Sequence, residues 1–197
     1  LTVMKTLSGP ARVEIEIKRS RFIAHAQRVD SLGDTLAFYE SVACEDATHN
    51  CWAWRIDHQY RFNDDGEPAS TAGKPILAAI DGKGVDHVMV IVTRYYGGTK
   101  LGVGGLVRAY GGSAARCIDR AEIETILPKA ELVIEAGFSW TGQVYSVLEA
   151  CKARKLDEKF SAGGVWIQVE VLQSEQSRLE SLLRDMTRGS ARVRPVD

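Results

Sequence analysis

Residues 11–18 (Ala-Arg-Val-Glu-Ile-Glu-Ile-Lys) alternate apolar and polar positions, the period of a half-buried strand. Ser20 breaks the pattern, and the apolar-rich stretch 21–26 that follows predicts a second strand, so the two read as a hairpin. Over 32–43, Leu32, Leu36, Tyr39 and Ala43 share one helical face, and Asp30 or Ser31 is placed to cap that helix. The short aromatic stretch 48–56 predicts a strand. Residues 61–68 are acidic and rich in turn formers, which predicts a loop. A helix over 75–81 follows, with Ser70 or Thr71 as its cap and Pro75 in its first turn. The apolar run 87–93 reads as a buried strand. It leads through a glycine-rich stretch into a helix from about 106 to 121.

Pro128 separates this half from a second pattern: strand (131–136), helix (142–154), strand (155–160), strand (165–172), helix (174–187, with Ser174 as cap) and strand (191–196). Val144, Val147, Leu148 and Cys151 fall on one face of the first of these helices. The order βαββαβ is that of a ferredoxin-like domain with two helices on one antiparallel sheet. Helical and strand periods mix in both halves, so the class is α+β, with domains at 1–128 and 129–197.

Composition changes this picture little. The 197 residues are 45% hydrophobic and 26% charged, as in ordinary globular domains. The 25 basic and 26 acidic residues divide after Pro128 into 15 and 16, then 10 and 10. Neither half has the basic excess of a general nucleic-acid binder, so any such role must rest on a local patch. No apolar run approaches the ~20 residues that cross a bilayer. The chain starts at Leu1 without a signal-peptide pattern, and Cys44, Cys51, Cys117 and Cys151 are scattered, so a cytoplasmic protein with reduced thiols is expected.

The candidate chemistry centres on 94–105. Five of these twelve residues are glycine (Gly97, Gly98, Gly102, Gly104, Gly105), between a strand and a helix. That order collects backbone N–H groups and a helix N-terminus at one spot, which attracts anions. Arg94, Lys100 and Arg108 add positive charge, and Tyr95 and Tyr96 read as an exposed pair able to stack on bases. The loop is not a Walker loop, because Leu101 follows Lys100. It is not a dinucleotide fingerprint either, because Val107 stands where the third glycine belongs. The glycines also fit a purely structural role in tight turns. Asp64, Asp65 and Glu67 fit three roles: a solvated turn, hard-cation ligands, or an acidic loop paired with Arg94 or Lys100. Cys44, His49, Asn50 and Cys51 match no common zinc spacing, and a packed strand with His49 hydrogen-bonded is the better reading than a Cys/His nucleophile pair. Trp52 and Trp54, two apart, face one side of their strand as core residues. No cofactor fingerprint or properly spaced metal set is present, so no cofactor, metal or catalytic residue is assigned.

Three blocks resemble the Impact/YigZ family: Thr48-His49-Asn50-Cys51-Trp52-Ala53; Asn63 to Pro68 with Ser70-Thr71-Ala72-Gly73-Lys74-Pro75; and Val92 to Tyr110 around the glycine-rich stretch. The region 131–197 looks like the small C-terminal domain of bacterial members, likened to the fifth domain of elongation factor G. The resemblance implies an N-terminal α/β domain like the second domain of a small-subunit ribosomal protein. It also implies a link to regulation of translation, the role of eukaryotic members. The expected function is a non-enzymatic binding protein that contacts RNA, the ribosome or a ribosome-associated protein through the basic loop. An enzyme holding a phosphorylated or acidic small molecule there, with Asp64, Asp65 or Glu67 as metal ligands or base, is the alternative. A regulator acting through a protein partner alone is the third reading.

Overall fold

A computed structural model describes residues 3–196; Leu1, Thr2 and Asp197, which fall inside the expected domain limits, lie outside the described residues. The chain divides into two compact units at Ile126/Leu127.

The first unit holds β1 (Met4–Leu7), β2 (Ala11–Ile17), β3 (Ser20–Arg28), α1 (Leu32–Val42), β4 (His49–Ile56), β5 (Gln59–Asn63), α2 (Gly73–Lys83), β6 (Val88–Tyr95), α3 (Val103–Arg120) and β7 (Ile123–Ile126). Five strands form one sheet in the order β2-β3-β6-β4-β5, every neighbouring pair antiparallel. Strand β6 lies at its centre and is buried along seven of eight residues, which explains its unbroken apolar run. Its Val88, Val90 and Val92 join Phe22, Ala24 and Ala53 under Ile76 and Ile80 of α2 and Tyr110, Ala114 and Cys117 of α3. On the opposite face Met89 and Ile91 pack with Trp54, Trp52 and Phe38 of α1. β1 and β7 form a separate antiparallel pair.

Five elements differ from expectation, three strands in their presence and two helices in their caps. β5 occupies 59–63, where a loop was predicted from 61; all five residues are exposed, so no burial alternation marks the strand. β1 and β7, of four residues each, are too short to show a period. Neither Ser70 nor Thr71 caps α2, nor does Ser174 cap α5: the cap positions are Ala72 and Leu172, and neither supplies a side-chain bond.

The second unit is βαββαβ: β8 (Lys129–Ala136), α4 (Thr141–Ala150), β9 (Arg154–Ser161), β10 (Gly164–Leu172), α5 (Gln173–Met186) and β11 (Arg192–Pro195). Its antiparallel sheet runs β11-β8-β10-β9, the ferredoxin-like order. Alternate residues of β8 and β10 (Leu132, Ile134, Val165, Ile167, Val169) meet Val144, Val147 and Leu148 of α4 and Leu179 and Leu183 of α5. The opposite face is charged, with most of its cations paired: Lys129 and Arg154 with Glu170, Lys159 with Asp157, and Arg194 with Glu135. No helix among the described residues is long and apolar enough to cross a membrane.

Candidate functional site

The three motif blocks converge at one end of the first unit's sheet. Arg94 continues the face of Val88, Val90 and Val92, so it points into the core rather than to the surface. Its side chain is 6% exposed. Arg94 Nη1 donates to Glu67 Oε1 at 2.6 Å, and Tyr110 Oη donates to the same oxygen at 2.7 Å. Arg94 Nη2 reaches Ser20 Oγ at 3.4 Å, while its Nε has no partner among the described residues. The guanidinium also lies 5.5 Å from the Phe22 ring centre and 5.4 Å from that of Tyr96. Burial raises the Tyr110 hydroxyl pKa, so Tyr110 stays a neutral donor to the carboxylate. The phosphate contact expected of Arg94 is therefore corrected: a buried, doubly engaged guanidinium cannot meet a ligand at the surface.

The acidic loop is built into the scaffold. Asp64 Oδ1 accepts from the N–H groups of Ala72 (3.0 Å) and Gly73 (2.8 Å), and Oδ2 accepts from Ser70 N–H (2.8 Å). One carboxylate thus fills the N-terminus of α2, the task expected of Ser70 or Thr71. Thr71 instead donates its hydroxyl to the Pro68 carbonyl at 2.6 Å. Asp65 accepts from Asn50 N–H. His49 Nδ1 donates to the Asp65 carbonyl at 2.6 Å, since that oxygen can only accept, and this leaves Nε2 facing Glu67 Oε1 at 3.8 Å. The Asn50 side chain bridges Cys44 N–H and C=O and receives the Thr93 hydroxyl. Cys51 Sγ donates to the Asp64 carbonyl, and burial pushes its thiol up to about 12, so it carries no nucleophilic thiolate at neutral pH. The three carboxylates thus serve three separate sets of protein partners: the start of α2 for Asp64, Asn50 N–H for Asp65, and Arg94 with Tyr110 for Glu67. No group of three His, Cys, Asp or Glu side chains among the described residues is placed to hold a metal.

The exposed part of the site lies around the start of α3. Gly102 is its N-cap, at φ 75° in the left-handed region, and no side chain caps the helix. Its first turn carries no acid. Gly98, Lys100, Gly102, Val103, Gly104 and Arg108 are exposed; Thr99, Leu101 and Gly105 are half-buried. Arg108 folds back over the first turn, with Nη1 near Gly104. Tyr96 is 47% exposed, whereas Tyr95 is half-buried with Arg21 5.4 Å from its ring centre. Gly97 is required by contact: a Cβ there would overlap the Arg19 carbonyl, and Gly97 N–H donates to Ser20 Oγ at 3.1 Å. The β2–β3 turn therefore sits against the glycine loop. Its Lys18 and Arg19, not picked out in the sequence, extend the basic rim; only the spacing of the predicted hairpin hinted that a turn would present them.

A model of the Impact N-terminal domain matches residues 18–118, and one for a domain of unknown function, DUF1949, matches 134–190. A curated relative, the family member YigZ of Escherichia coli K12, is 34% identical over 96% of both chains. This chain belongs to the Impact family. A further Impact-family relative, encoded in the pol 5′ region of Thermus thermophilus, is 42% identical and covers 88% of this chain and 96% of its own. A crystal structure described as a hypothetical protein has 33% identity and a TM-score of 0.79, covering 100% of this chain and 98% of its own. The Impact match spans the whole network from Lys18 and Ser20 through His49, Glu67 and Arg94 to Arg108 and Tyr110.

Proposed function

We propose that this Impact-family protein is a non-enzymatic, translation-associated binding protein whose first unit contacts RNA phosphates at the glycine-rich loop. The observation that carries the reading is a contrast between two helix ends in one unit. The N-terminus of α2 is filled by Asp64, while that of the 18-residue α3 is open and flanked by exposed Lys100 and Arg108. Neither cation pairs with a carboxylate among the described residues. An open helix end with two free cations suits a phosphate group. The buried Glu67–Arg94–Tyr110 network gives the loop a rigid base, which lowers the entropy lost on binding. Tyr96 supplies an exposed ring beside the cations.

Fluorescence anisotropy with short single-stranded and hairpin RNAs over a salt series tests this. Wild type is expected to bind with a steep salt dependence, and Lys100→Ala/Arg108→Ala is expected to weaken binding and lower the slope of log K against log salt by about one to two. Absence of binding at moderate salt, or an unchanged slope in the variant, would refute the reading.

A further inference from the structure

The β2–β3 hairpin closes through two residues only, because Ile17 pairs with Ser20. Both are in the left-handed region, Lys18 at φ 48° and Arg19 at φ 66°. A two-residue loop with positive φ at both positions is the turn that Asn-Gly forms most readily, and long side chains adopt it at a cost. Two cations therefore occupy the place of better turn formers. Both side chains are exposed. Elsewhere on this hairpin the cations are paired, Arg12 and Arg21 sharing the Glu14 carboxylate at 2.9 and 2.8 Å. Lys18 and Arg19 have no such partner among the described residues.

The turn is also fixed in place. Gly97 packs directly on the Arg19–Ser20 backbone, and Ser20 Oγ accepts from both Gly97 N–H and Arg94, which is anchored in turn on Glu67. The tip of the hairpin is thereby registered against the glycine loop, with Tyr95 and Tyr96 following Arg94 at the end of the adjoining strand.

We propose that the Lys18–Arg19 turn is a second RNA-backbone contact, a strained cationic tip that binds phosphates on the same strand held by Lys100 and Arg108. The inference rests on the RNA reading above and adds a site to it. Turn chemistry that favours charge over fit is explained by a polyanionic ligand, and two pairs of cations on one rigid edge suit a run of phosphates better than a single small anion.

The test uses the full chain with fluorescein-labelled single-stranded RNA. Lys18→Asn/Arg19→Gly restores favoured turn residues and removes the charge, while Lys18→Gln/Arg19→Gln removes the charge and keeps the strained turn. The first variant is expected to melt above wild type and the second close to it. Both are expected to lower the salt slope by about one to two and to weaken binding at low salt. If both turn variants bind with wild-type affinity and slope while Lys100→Ala/Arg108→Ala loses binding, the turn proposal is overturned and the loop reading stands. If wild type binds no RNA, both fall. Equal binding of wild type to poly-glutamate would assign the cations to an acidic protein partner and would also overturn the proposal.

Discussion

At the scale of single residues, the decisive side chain is Arg94, and its role follows from strand parity. It sits two positions beyond Val92 on the core-facing row of β6, so the alternation that identified the strand also placed the guanidinium inside. Reading the apolar run as ending at residue 93 concealed this. Charge alone made Arg94 look like Lys100, whereas Arg94 is buried against Glu67 and Lys100 is exposed. Removing one partner of a buried ion pair leaves an uncompensated charge. Glu67→Ala should therefore cost about 3–5 kcal/mol, and Tyr110→Phe about 1–3 kcal/mol, as read from urea unfolding midpoints. Cysteine reactivity gives a second check. Half-exposed Cys44 should react with iodoacetamide in the native protein, whereas Cys51, buried with its thiol at about 12, should react only on unfolding. Rapid native labelling of Cys51 would contradict the core placement.

At the scale of elements, long patterned segments were legible and local hydrogen-bond choices were not. The β2–β3 hairpin, α1 with its Ser31 cap, β6, α3 and the whole βαββαβ succession follow from apolar periodicity. The cap of α2 did not, because the capping carboxylate, Asp64, lies eight residues before Ala72 and reaches it only once β5 and the acidic loop fold back. Asp64→Ala leaves three N–H groups without their acceptor and should cost at least about 1–2 kcal/mol. The open end of α3 gives the converse experiment. Val103 is 64% exposed in the first turn, so Val103→Glu should stabilise the helix by about 0.3–1 kcal/mol and weaken RNA binding, since the added carboxylate occupies the anion position. A Val103→Glu variant that binds RNA as tightly as wild type would argue against that position.

Across the whole molecule, charge is close to balanced, with 25 basic and 26 acidic residues. The net charge is −1; the open face of the second unit's sheet pairs Lys129, Arg154, Lys159 and Arg194 with carboxylates, whereas Lys18, Arg19, Lys100 and Arg108 of the first unit have no carboxylate partner among the described residues. At the other end of that sheet, His87 Nδ1 and Nε2 bond to Asp30 (2.8 Å) and Asp57 (3.0 Å), with Asp86 close by through its backbone contacts. Burial lowers the His87 pKa, but the bonds to Asp57 and Asp30 outweigh it and raise it above the ordinary 6.5. A folded pKa above the unfolded one stabilises fully below the unfolded value and loses that contribution as pH rises through the folded value. Wild type should therefore lose stability from this clamp as pH rises above the ordinary 6.5 and through the raised folded value, and His87→Gln should flatten that dependence in thermal melts.

If RNA is held along one edge of the first unit, an NMR titration of the isotope-labelled full chain with single-stranded RNA reports it residue by residue. Shifts are expected to concentrate in the amides of Gly97–Arg108, with Lys18 and Arg19 beside them, and to disappear as salt is raised. Shifts concentrated on β8–β11, or none at any salt, would contradict a phosphate-binding edge at the glycine-rich loop.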